Sequence, residues 1–243
     1  FLAYPAFGLT LIFYPLLVRA VGVFASIIGT WVVRGKDDAN MNPMRPINVG
    51  FYVSALIAVV GFGLVSMFYL NDPATGVPYW KFFFATLMGI ILALIIGWLT
   101  EHFTATDKKP VTEIANASRT GAATLLLAGL AEGMESSVWA LVAICATMFG
   151  SMAIFGGDLI MSFYGIALAG LGLLTTTGFI LAMDTYGPIS DNANGIFEMS
   201  GALKEGSGNE GAHKIVAKLD AVGNTTKALT KGFAIATAVI AAT

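Results

Sequence analysis

Long apolar runs separated by short polar stretches organise this chain from end to end. A helix needs about 20 predominantly apolar residues to cross a bilayer core. Runs of that order predict spans at about 9–33, 46–70, 81–103, 120–155, 160–199 and 213–243. Trp80 and Trp98 lie toward the ends of the third, where amphipathic rings suit a membrane–water boundary. The fourth is too long for one straight crossing and is interrupted by AEGMESS (131–137), yet its pieces are too short for two. One broken or extended helix is expected there. The fifth is longer than a bilayer needs, so its polar end should project beyond the hydrocarbon. The sixth has a polar first half. The stretch 201–212, rich in Gly, Ser, Asn and Glu, reads as a hairpin connection. The expected class is an all-α polytopic membrane protein, one domain packed as a helical bundle among membrane lipids.

The basic residues agree with that division. Arg34, Lys36 and Arg45 fall in the first connection, Lys108, Lys109 and Arg119 in the third, and Lys204, Lys214 and Lys218 in the fifth. The second has only Lys81 and the fourth has no Lys or Arg. Positive charge favours the cytoplasmic side, so the odd connections should face the cytoplasm. The polar ends of the fifth and sixth spans then lie on that side, and a substrate would enter from there.

Composition excludes several classes. Hydrophobic residues make up 56% of the chain and charged residues 12%, about half the share of a soluble domain. A net charge of −2 offers no basic surface for nucleic acid. Cys145, alone in an apolar run, reads as a small hydrophobe and implies no disulfide. His102 and His213 lie far apart and neither has a partner at zinc-ligand spacing. There is no P-loop and no Gly-Xaa-Ser-Xaa-Gly hydrolase elbow. The chain starts without Met inside an apolar segment and closes before its last span completes a crossing, so it is expected to be an internal piece of a longer protein.

Chemistry concentrates in DTYGPISDNANGIFEM (184–199) and LDAVGNTTKALTKGFAIA (219–236). Asp184, Asp191 and Glu198 are seven residues apart, which places them within roughly 40° on a helix. Asp220, Asn224, Lys227 and Lys231 are spaced 4, 3 and 4 and share one face. Ionisable groups in a membrane helix are costly, about 2.5–3.5 kcal/mol each at its centre, and mark ion or substrate sites by default. The two helices are joined by a short loop, so they should pack antiparallel with the stripes facing. Asp191 and Asn224 are hard oxygen donors suited to Mg²⁺, which keeps waters and shares its shell with phosphate. Lys227 and Lys231, one turn apart, repel unless anions lie near. Asp191, Asp220 and a bound phosphate could supply that charge. Purely structural ion pairing is the plain alternative, and for Glu198, nearest the loop, a solvated helix end is the favoured reading. Glu132 and Glu135 could serve ion passage or merely solvate a break.

At these residues the chain resembles the membrane-integral pyrophosphatases, ion pumps driven by hydrolysis of inorganic pyrophosphate. The matching segments are YGPISDNANGIFEM and LDAVGNTTKALTKGFAIA. Weaker matches are LLVRAVGVFASIIGT (16–30), EIANASRTGAATLLLAGLAEGMESS (113–137) and YGIALAGLGLLTTTGFILAMDTYGP (164–188). The resemblance implies a sixteen-helix subunit, usually homodimeric, of which this chain would form the seventh to twelfth helices. It implies that Asp191 and Asn224 bind magnesium–pyrophosphate, that Lys231 contacts the phosphate, and that Asp184 supports the site. Asp220 and Glu198 are expected to support it or take part in coupling.

Many members read GNTTAA and then GKGF and require K⁺. This chain has Lys227 in place of the first alanine and Thr230 in place of the glycine before Lys231. It is similar to the K⁺-independent, proton-pumping branch, and Asn194 fits the same branch. A tethered ammonium can stand where a bound monovalent cation would. The resemblance therefore implies Mg²⁺ as cofactor, no K⁺ requirement, and pyrophosphate and protons as what is handled. The family's other magnesium-binding carboxylates are not in this chain, so the segment alone is expected to be inactive. The residues by themselves leave two rivals open: a secondary transporter, which would show broken helices in an inverted repeat, and a non-catalytic proton-carrying subunit, which would need one buried carboxylate in a Gly-rich hairpin. A bacterial cytoplasmic membrane is the expected location, with an acidic organelle as the alternative.

Overall fold

The structure is a computed structural model and describes residues 8–36, 38, 40–71, 76–201 and 210–242. These form helices α1 (Thr10–Val32), α2 (Met44–Tyr69), α3 (Tyr79–Thr104), α4 (Lys109–Ala117), α5 (Ala122–Phe155), α6 (Leu159–Leu173), α7 (Thr177–Met199) and α8 (Glu210–Ala242). Among the described residues there is no strand. Four helical segments are long and apolar enough to cross a membrane, and α6 with α7 together make a fifth. The sixth expected span is α8, a single 33-residue helix whose middle carries the polar stripe. Most of the expected hairpin connection, residues 202–209, lies outside the described residues.

One expectation resolves and another needs correction. Of the broken or extended helix expected for the fourth span, the structure has the extended form: α5 is one continuous helix of 34 residues, about 50 Å at 1.5 Å per residue. Glu135 and most of the surrounding turn are exposed on an open face, so nothing forces the backbone apart. Glu135 Oε1 accepts from Trp139 Nε1 at 3.4 Å within the same helix. Gly156, with φ 63°, then takes the left-handed turn that ends α5. The fifth span, in contrast, is not one helix. It breaks at residues 174–176 into α6 and α7, which meet at a bend of 43°. The short helix α4 was also not expected; Pro110 in its first turn, where a missing N–H costs nothing, starts it.

Packing forms two buried clusters. One gathers Leu11, Tyr14, Val18, Phe62, Phe82, Phe155 and Tyr164 from α1, α2, α3, α5 and α6. Polar groups there are satisfied between helices: Tyr164 Oη donates to Leu11 O at 2.7 Å, and Tyr14 Oη pairs with Ser66 Oγ at 2.8 Å. The other cluster lies under the polar stripes and includes Phe51, Ile96, Phe179, Met183, Leu229 and Phe233. Phe51 on α2 meets Phe179 of α7 and Phe233 of α8, with ring centroids 6.0 and 5.9 Å apart. One aromatic cluster thus fixes both site helices against the same neighbour.

Candidate functional site

Helices α7 and α8 cross at two glycines. A Cβ on Gly187 would lie 2.9 Å from Gly223 O, and one on Gly223 would collide with Ser190 Oγ. With no side chains between them the backbones approach closely, as membrane helices do at small residues. Tyr186 Oη spans the same pair, donating to Leu219 O at 3.1 Å. Pro188 sits inside α7 and has no N–H, so the helix lacks its bond to the carbonyl of Asp184 just where the acidic stripe begins.

The crossing positions Lys227. Its stem lies flat over Gly187, where an added Cβ would be 2.6 Å from Cγ and 3.0 Å from Cε. The ammonium is thereby carried one turn along α7 to Asp191, with Nζ 2.5 Å from Oδ2. It also donates to Asn224 Oδ1 at 3.4 Å. The lysine side chain is 25% exposed and the aspartate 53%, so the pair sits at an open edge. One turn away, Thr230 Oγ1 donates to Asp184 Oδ1 at 2.7 Å.

The stripes therefore face each other as expected, with one difference in detail. An ammonium stands between the Asp191 and Asn224 oxygens that the sequence suggested for a metal. Asp220 lies half-buried nearby, and its Oδ1 accepts no hydrogen bond from the described residues. Lys231 is exposed beyond Lys227 and forms no ion pair with a described residue. Glu198 accepts from Asn194 Nδ2 at 3.2 Å at an exposed helix end, and its charge reaches the cluster only through Asp220. Gly187, Gly223, Tyr186 and Ser190 were not singled out from the sequence. For Gly187, Ser190 and Gly223 the signal was small residues on α7 and α8 immediately beside the charged ones; nothing in the pattern marked Tyr186.

The donor set has a definite chemistry. Among the described residues no three His, Cys, Asp or Glu side chains could hold a metal by themselves. Carboxylate oxygens of Asp191 and Asp220 and the amide oxygen of Asn224 are hard donors, and Asp220 Oδ1 is buried with no hydrogen-bond partner among the described residues. Such a set fits Mg²⁺ whose shell is completed by phosphate and water, and does not fit a soft metal.

The family model described as inorganic H⁺ pyrophosphatase matches residues 2–243. A K⁺-insensitive pyrophosphate-energized proton pump of Chloroflexus aurantiacus is 47% identical over 242 residues, covering 98% of this chain and 30% of that protein. One of Moorella thermoacetica is 43% identical over 243 residues, covering 98% and 34%. A pyrophosphate-energized membrane proton pump of Arabidopsis thaliana is 33% identical over 243 residues, covering 95% and 30%. The chain spans about a third of the length of these relatives. With the match running over nearly every residue, the chain belongs to the inorganic H⁺ pyrophosphatase family.

Proposed function

We propose that α7 and α8 build part of the substrate site of a K⁺-independent pump that hydrolyses inorganic pyrophosphate and moves protons. The observation that carries this is the Lys227 ammonium held 2.5 Å from Asp191 and 3.4 Å from Asn224. Two oxygen donors around a fixed positive charge are what a bound K⁺ would otherwise require. The relatives from Chloroflexus and Moorella are named K⁺-insensitive proton pumps, which supports this reading.

In this account Asp191 and Asn224 would hold Mg²⁺, with Asp220 beside them. Bound there, the ion would neutralise the diphosphate and orient it for in-line attack. Lys227 keeps positive charge next to the phosphates without a monovalent ion. Lys231, exposed on the open side of α8, reaches a phosphate oxygen. Thr230 holds the Asp184 carboxylate in place. Glu198 stays a solvated helix end. A homodimer in a bacterial cytoplasmic membrane belongs to the same proposal. The break between α6 and α7 is a feature a secondary transporter would share, but the carboxylate, amide and paired-lysine array at a helix end favours phosphate chemistry.

The test is Asp191→Ala in membranes carrying the full-length protein. Pyrophosphate hydrolysis should disappear while the protein stays folded. Wild-type turnover in that variant would remove Asp191 from the site.

A further inference from the structure

Arg19 is the one charged residue of the 23-residue α1 and lies near its middle, outside the site described above. A guanidinium at that depth is costly unless its N–H groups find acceptors. No carboxylate among the described residues forms an ion pair with it. Instead Nη1 donates to Leu174 O at 2.5 Å, with Thr177 Oγ1 3.5 Å away. Leu174 is where α6 ends and Thr177 is where α7 begins.

The break changes which donors that carbonyl accepts from. In a continuous helix it would bond the N–H four residues on. Here the Thr177 N–H takes it at 3.1 Å in a tighter turn, and the Thr177 hydroxyl also donates to it. The C-terminal end of a helix is electronegative, and a cation there is favourable. The break remains incompletely satisfied, since Thr176 Oγ1 and Ser26 Oγ are buried without a partner among the described residues. Close contact makes the arrangement possible. A Cβ on Gly22, one turn beyond Arg19, would lie 2.6 Å from Thr175 O. Ser26, one turn further, faces Gly178 at the start of α7, where an added Cβ would be 3.0 Å from Ser26 Cβ. One face of α1 thus runs along the whole break.

We propose that Arg19 is a positioning residue: by clamping Leu174 O it sets the 43° bend, and hence where α7 holds Asp184 and Asp191. From Thr177 to Asp191 is about 21 Å of helix, so a change of about 5° at the break moves Asp191 by about 2 Å. That is enough to separate it from Lys227. The effect on activity rests on the proposed pyrophosphate site; the clamp itself does not.

The experiment uses the full-length protein in membranes, with Cys145→Ser, any other cysteines replaced, and spin labels at Phe163→Cys on α6 and Ile189→Cys on α7, both exposed positions. Arg19→Met should shift or broaden the interspin distance by about 2 Å or more, from the same lever arm. Arg19→Lys, which keeps a cation near the carbonyl, should stay close to wild type. In the unlabelled variants, the pyrophosphate KM should rise by about tenfold in Arg19→Met and less than about threefold in Arg19→Lys. Should Arg19→Met not fold, Arg19→Gln carries the test, because its neutral amide is too short to reach Leu174 O. An unchanged distance in the methionine or glutamine variant overturns the clamp. So does a loss of folded protein with distance and KM unaltered. A wild-type protein without pyrophosphate hydrolysis would sink the functional reading and leave the distance test standing.

Discussion

Gly187→Ala tests whether the α7–α8 crossing, more than the charges alone, creates the site. The new methyl would lie 2.6 Å from Lys227 Cγ and 2.9 Å from Gly223 O. Carbon atoms settle at about 3.5–4.0 Å, so the lysine stem must rise by about 1 Å and the helices must part slightly. A Nζ–Oδ2 contact of 2.5 Å then becomes marginal, and the bond to Asn224, already 3.4 Å, is lost. Overpacking of this kind costs about 1–3 kcal/mol. If that cost falls on the catalytic arrangement, hydrolysis without K⁺ drops roughly five- to a hundredfold. The assay is Mg²⁺-dependent pyrophosphate hydrolysis by membranes, normalised to folded protein, with and without K⁺. Gly63→Ala is the control, since its methyl meets only Phe83 Cε2 at 3.6 Å; it should stay within about twofold. Because the effect passes through Lys227, Gly187→Ala combined with Lys227→Ala should be little worse than Lys227→Ala alone. Wild-type K⁺-free activity in Gly187→Ala, or full additivity in the double variant, would refute the reasoning.

Three other substitutions follow from the same geometry. Lys227→Ala should lower K⁺-free hydrolysis and let added K⁺ restore part of it; unchanged K⁺-free activity would end the proposed role of the ammonium. Thr230→Val removes the 2.7 Å bond to Asp184 and should reduce kcat/KM by roughly fivefold, the equivalent of about 1 kcal/mol for an exposed bond to a charged group; an effect below about twofold would make Thr230 a bystander. Glu198→Gln should leave hydrolysis within about twofold, because its described partner is Asn194 at an exposed helix end; a large loss would place Glu198 in the machinery.

The contacts of the site residues show what the sequence could and could not convey. Helical periodicity groups each stripe on one face, because side chains seven residues apart in α7, and four or three apart in α8, must share a face whatever packs on them. It could not reveal that Lys227 would point at Asp191, since that depends on the separation at Gly187 and Gly223. The six apolar runs were legible by length, yet α5 stayed continuous through Glu132 and Glu135 because an open face imposes no break. The α6–α7 bend lies inside the apolar first part of the longest predicted span, 160–199. Three consecutive threonines at 175–177 and an arginine in a distant helix were the available signal. Neither suffices alone: threonine hydroxyls often bond back within a helix, and only packing brings Arg19 to Leu174.

The most direct test of the central claim is Mg²⁺-dependent pyrophosphate hydrolysis by membranes carrying the full-length protein, measured with and without K⁺. The account predicts equal activity in both, since Lys227 already supplies the charge beside Asp191. Activity only with K⁺ would contradict the role of Lys227, and no hydrolysis by the folded protein would contradict the proposed site altogether.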